Sequence, residues 1–219
     1  MTSTYSNNRL ADILARAEIF RRLATIFNYP DDELNQDLRS GIFISTLTDA
    51  LKTAGLDSAC AKLDPGSILE DWEELLALEK DYTRMCFASK PRQVYLFESV
   101  YREGKLLQES TFQIAGLYYE AGLQLTETFT LPPDHIAVEL EFMAFLYFKE
   151  AEAIQEGSSA KESLALRLQG EVLQNHLIPF GLSVAERMEK YATTRFYRTM
   201  ACILRSVLES LAEPSDAKA

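Results

Sequence analysis

The sequence predicts an all-α protein, and three observations carry that reading. Apolar residues recur every three or four positions along most of the chain. Glycine (9) and proline (7) are sparse among 219 residues, which favours long helices over a turn-rich β architecture. Four Ser-x-x-Glu/Gln sequences mark helix starts, and no run alternates as a half-buried strand does. The expected architecture is a single helical domain over residues 1–219, of about ten helices, with the option of two lobes hinged near residue 126.

The first helix is expected from Asn8 to Phe27, with Leu10, Ile13, Leu14, Ala17, Phe20, Leu23, Ala24 and Phe27 on one stripe. Asn28-Tyr29-Pro30 stops it. A short helix follows over Asp31–Leu38, then another over Ile42–Ala54, closed by Gly55 beyond its C-terminus. Asp64-Pro65-Gly66 reads as a turn. Ser67 and Glu70 then form a capping box for a helix that carries Trp72 and Tyr82 inward and an acidic face outward. Ser89 to Tyr101 breaks the helical period and reads as an ordered loop packed on the core through Val94-Tyr95-Leu96-Phe97.

Ser110 with Gln113 opens the next helix, which ends near Gly122. A threonine-rich connector leads to Pro132-Pro133, which fix the start of a helix from Asp134 to about Gln155. Ser159 with Glu162 caps the next helix, expected to stop at Pro179. Ser183 with Glu186 begins a short helix, and Thr194 caps the last. From about residue 213 the tail is small and polar and is expected to be disordered.

Charge and composition narrow the function. A formal net charge of −11 argues against a nucleic-acid backbone as partner and suits a basic peptide segment. Cys60, Cys86 and Cys202 are far apart and form no Cys-x-x-Cys pair, which speaks against a thioredoxin-type motif or a zinc ribbon. No apolar run approaches the roughly 20 residues that span a bilayer, and Met1 to Arg9 lacks an apolar signal region. These features predict a cytoplasmic protein.

The segment from Pro132 to Met143 is the leading candidate for function. Asp134 is placed to accept N–H groups of its own helix's first turn, and His135 is one of two histidines. An enzyme reading would use His135 and Glu139, four apart on one helix face, for acid–base work or as one edge of a metal site. No nucleophile elbow or phosphate loop supports it. His176, at the end of an apolar helix, is explained by the helix dipole. A third reading is a module whose aromatic groove binds an unrelated helix.

Several motifs together resemble the TorD/DmsD family of molybdoenzyme maturation chaperones. Pro132-Pro133-Asp134-His135 through Met143 is similar to that family's signature. So are Asp81-Tyr82-Thr83-Arg84-Met85, Glu98-Ser99-Val100-Tyr101 and His176-Leu177-Ile178-Pro179-Phe180, in that order along the chain. Phe180 stands where the family usually has Trp, and Leu182 where Pro is common.

The resemblance implies a non-enzymatic chaperone, with no cofactor or metal of its own. Its partners would be the apo catalytic subunit of a molybdenum-containing oxidoreductase and that subunit's twin-arginine signal peptide. It implies neither nucleic-acid binding nor stable membrane insertion. A monomer and a lobe-exchanged dimer both fit. Pro132, Asp134 and His135 are the implied peptide-binding residues, with Tyr82, Ser99 and Tyr101 as the wall. The motifs do not choose among reductases of trimethylamine oxide, dimethyl sulfoxide, nitrate or selenium oxyanions.

Overall fold

Two long helices set the frame of the computed structural model, which describes residues 2–63, 74–88, 90–124 and 130–212. Helix α1 (Thr2–Ile26) packs along α8 (Ile136–Glu156). Ile13, Ala17, Phe20, Leu23 and Ala24 are buried as the period requires, while Leu14 faces solvent. Ile19 and Ile26 are buried as well, so the stripe is wider than one contact seam because neighbours cover α1 on more than one side. Phe20 stacks on Tyr147 of α8 at 5.7 Å. Almost every residue of α8 from Ile136 to Met143 is buried, which makes it the central helix.

Helices α2 (Asp32–Arg39), α3 (Ile42–Thr53) and α4 (Asp57–Cys60) follow α1. Asp31 caps α2 by accepting Leu34 N at 2.9 Å. Gly55 takes a left-handed φ of 64° just past α3, which only glycine adopts freely. Helix α5 (Leu75–Thr83) runs directly into one π-helical turn, Arg84–Ala88. Val94 and Leu96 of the following loop are buried, as expected. Helix α6 (Glu98–Glu103) begins inside the stretch read as loop. Helix α7 spans Glu109–Glu120. Its predicted Ser110/Gln113 box does not form; Glu103 of α6 accepts Ser110 N at 3.2 Å and Ser110 Oγ at 2.9 Å instead.

Pro179 does not end a helix. Helix α9 (Ser159–Val172) passes through a π-helical turn, Leu173–Leu177, straight into α10 (Ile178–Tyr191). The wider turn resets the register, so Pro179 falls in the first turn of α10, where its missing N–H breaks no bond. Ser183 therefore lies inside α10, donating to Pro179 O at 3.0 Å, rather than at a new start. Ser158, not Ser159, precedes α9, and it makes no side-chain cap.

Helix α11 (Arg195–Ala212) packs on α10 with Tyr197, Met200, Ala201, Leu204, Val207 and Leu208 buried. Buried apolar side chains from before and after the threonine-rich connector share one core. The Asp64-Pro65-Gly66 turn, the Ser67/Glu70 box, Trp72, the hinge near 126 and the tail from 213 lie outside the described residues.

Candidate functional site

The signature segment is clamped by a second strand of chain. Residues 96–98 run against 134–136: Ile136 N donates to Leu96 O at 2.9 Å, Glu98 N donates to Asp134 O at 2.9 Å, and Phe97 pairs antiparallel with His135. Pro132 and Pro133 hold the approach, with His135 N donating to Pro132 O at 3.1 Å and Tyr118 Oη to Pro133 O at 2.7 Å. Tyr118 also lies edge-on to Phe142, ring centroids 4.4 Å apart, and this ties α7 to α8.

Asp134 does not cap its own helix. Its Oδ2 accepts Ser99 N at 3.0 Å, in the first turn of α6. The N-cap of α8 is His135, whose Nδ1 accepts Ala137 N at 3.2 Å. An accepting Nδ1 places the neutral ring's proton on Nε2. Burial lowers the His135 pKa to about 4, against the smaller opposing pull of Asp134.

Two further carboxylates complete the corner. Glu98 receives Arg102 Nη1 on Oε1 at 2.7 Å, and its Oε2 meets His176 Nδ1 at 2.8 Å. His176 sits in the second π-helical turn, so Glu98 joins α6 to the α9–α10 junction. That pairing, rather than a helix dipole alone, accounts for His176. Glu139 is 0% exposed, and neither of its oxygens has a hydrogen-bond partner. Burial first, then the nearby charges of Glu98 and Asp134, push its pKa well above the usual carboxylate range, with Arg102 opposing. Burial thus favours the protonated form of Glu139, and the Nδ1 of His135 is engaged by Ala137 N rather than turned to Glu139. Among the described residues no group of three or more His, Cys, Asp or Glu is arranged to hold a metal ion.

The predicted site residues divide. Asp134, His135 and Ser99 meet at the corner, but all are buried, so Asp134 cannot reach an arginine outside the molecule as the structure stands. Pro132 and Tyr101 are part-exposed beside them. Tyr101 Oη accepts Tyr95 N at 3.3 Å and its ring packs on Phe180. Tyr82 is not part of this wall: its hydroxyl donates to Phe27 O at 2.7 Å and its ring packs among Tyr29, Phe87 and Tyr197.

Sequence reasoning quoted Glu98 and Asp81 in the motifs but gave them no role, and weighed Glu139 only for acid–base or metal chemistry. Asp81 repeats the Asp134 arrangement with a different set of partners. Its Oδ2 accepts Thr193 N at 2.9 Å, Thr194 N at 2.7 Å and Thr194 Oγ1 at 2.8 Å, and its Oδ1 accepts Arg84 Nη2 at 2.7 Å. Burial alone would raise the Asp81 pKa; the Thr194, Arg84 and Thr193 donors outweigh it and lower it. Thr194 thus precedes α11 as expected, but its hydroxyl donates to Asp81.

The motif residues that resemble one family form the two buried hubs, and a comparison with known proteins agrees. The family model described as "Nitrate reductase delta subunit" matches residues 47–185, more than half of the chain. The chain belongs to this family. Relatives within it carry the TorD name read from the motifs. The TorD chaperone protein of Vibrio cholerae is 28% identical over 127 residues, covering 58% of this chain and 56% of that protein. The chain thus spans little more than half the length of that curated relative. The perchlorate reductase assembly chaperone protein of Dechloromonas aromatica is 26% identical over 196 residues, covering 86% of this chain and 84% of the relative. A crystal structure of an Archaeoglobus fulgidus protein described as a redox enzyme maturation protein superposes with a TM-score of 0.55 at 22% identity, covering 88% of this chain and 93% of that one. That likeness shows the shared all-α fold. No helix among the described residues is long and apolar enough to cross a membrane.

Proposed function

We propose that this family member is a cytoplasmic chaperone for the assembly of a molybdenum-containing oxidoreductase. It binds the apo catalytic subunit, engages its twin-arginine leader and holds it back from export until the molybdenum cofactor is inserted. It makes and breaks no covalent bond. The observation that supports this reading is family membership across residues 47–185, with relatives named as chaperones of TorD type and of perchlorate reductase assembly. The physics is compatible. A chain of net charge −11 attracts the basic start of such a leader, and apolar contact retains the stretch that follows it. The buried Asp134–Ser99 and Glu98–His176 pairs serve this function indirectly, by fixing α6 to the start of α8 and to the α9–α10 junction.

The test is deletion of the gene followed by assay of the cell's molybdoenzymes. One oxidoreductase should lose activity and cofactor content while its catalytic subunit is still made, and the purified chain should capture that subunit in its apo form. Full cofactor loading in the deletion strain would overturn the reading.

A further inference from the structure

Helix α7 turns outward an apolar face that the described residues leave uncovered. Phe112 and Tyr119 are 67% and 58% exposed. Gly116 lies between them on the same side, with open space where a Cβ would stand. Two rings flanking a missing side chain make a notch in which another helix backbone can sit close. The preceding turn adds Leu106 and Leu107, 46% and 56% exposed. Leu107 has φ 57°, a left-handed conformation that a leucine adopts only at an energetic cost. Gln108 Nε2 fixes that turn by donating to Leu106 O at 2.7 Å and Leu107 O at 3.2 Å. The fold thus holds apolar side chains in water on a rigid element, which single scattered surface leucines do not require.

Charge says what the face fits. Helix α7 begins at Glu109, ends at Glu120 and contains no Lys or Arg. Glu141 of α8 is exposed and close enough to act on Tyr118. The cations nearby include Lys105 on the turn, Arg167, paired with Glu120 and Glu171, and, beyond Ala121, Lys149 and Lys161, paired with Glu152 and Glu156. An apolar stripe bracketed by carboxylates complements a segment that is apolar along its length and cationic at its start. The leader-binding reading above provides such a segment, whereas the corner first implied for it is buried.

We propose that the Phe112–Gly116–Tyr119 face of α7, extended by Leu106 and Leu107, docks the leader's apolar stretch as a helix, its paired arginines set against the carboxylates at one end of that face. This assignment rests on the leader-binding reading and adds its location. The probe is a synthetic peptide with paired arginines followed by an apolar run of about 15 residues. Calorimetry compares its binding to the wild-type chain, to Gly116→Leu, to a Phe112→Ser/Tyr119→Ser double variant, and to Leu164→Ser on exposed α9 as control. Gly116→Leu fills the notch with a better helix former, so its circular dichroism and melting should stay native.

Both α7 variants should weaken binding by at least about tenfold, with Leu164→Ser unchanged. Wild-type binding that survives in both α7 variants overturns the location and leaves leader binding standing. No binding to the wild-type chain overturns the two together.

Discussion

Asp134 caps α6 through Ser99 N, 35 residues earlier in the chain, and leaves its own helix to His135. One carboxylate oxygen thereby ties the loop before α8 to α6. Replacing Asp134 with Ala removes that acceptor and should cost about 1–2 kcal/mol, the range for a lost N-cap. Asp134→Asn keeps an acceptor oxygen and should cost less. Urea midpoints at constant m-value measure both. Equal losses for Ala and Asn would mean that the cap is not what Asp134 contributes.

Asp81 makes the same kind of bond over a longer span, receiving Thr194 N from 113 residues away. Asp81→Ala leaves the donors of Thr193 and Thr194 facing a void in a largely buried place and takes the carboxylate from Arg84, whose guanidinium keeps Gln93 Oε1 and Tyr191 O. The expected loss is about 3 kcal/mol, larger than for Asp134 because three donors lose their acceptor and an ion pair is broken. A melting temperature within a degree or so of wild type would contradict the geometry.

Two buried groups at the corner give opposite pH dependences. The His135 pKa is about 4 in the fold against 6.5 in an open chain. Between those values the unfolded chain takes up the proton first, so stability is present above pH 6.5 and is lost as the pH falls towards 4, by at most about 3 kcal/mol. His135→Asn retains a capping acceptor and should flatten this limb. Glu139 works the other way. Its folded pKa lies above 4.5, so above pH 4.5 the unfolded chain releases a proton that the native state keeps, and stability falls as the pH rises. Glu139→Gln, neutral throughout, should be more stable than wild type near neutral pH and indistinguishable from it at about pH 4. Denaturation midpoints across that range check both, and a Glu139→Gln advantage that persists in acid would exclude titration as its source.

The parts of the fold that are legible in the sequence are those fixed by neighbours in the chain. Helices α1, α2, α3, α7, α8 and α11 follow from apolar spacing and from local stops such as Gly55. What escapes is decided at a distance. Pro179 reads as a terminator unless a π-helical turn upstream shifts the register, and nothing in Leu173–Leu177 announces that turn. Ser110 and Gln113 have the spacing of a capping box, yet Glu103 occupies the donor first. Asp134 has the identity and position of an N-cap, yet the hairpin-like pairing of Phe97 with His135 turns its carboxylate to another helix. Glu139 was readable: Ile136, Val138, Leu140 and Met143 surround it on the apolar side of α8, and a carboxylate there must be buried. The burial of two of the implied site residues was hidden for the same reason: Tyr82 and Asp134 are each turned inward by partners distant in the chain, Phe27 O and Ser99 N.

Gly181 tests how tightly α10 and α11 are fitted. A Cβ at Gly181 would stand 2.6 Å from Leu208 Cδ1, closer than two carbon atoms approach without displacement. In an exposed helix, Gly→Ala gains up to about 1 kcal/mol from reduced chain freedom. Here Leu208 is fully buried, so its end cannot swing into solvent to make room. Overpacking of that kind costs about 1–3 kcal/mol. The cost exceeds the helix gain, and Gly181→Ala should be destabilised by roughly 1 kcal/mol. Pairing it with Leu208→Ala should recover part of the loss relative to Leu208→Ala alone, because the new methyl fills some of the space that the leucine leaves. A double-mutant cycle on urea midpoints reads that coupling, and strict additivity of the two changes would show that the helices do not meet at this point.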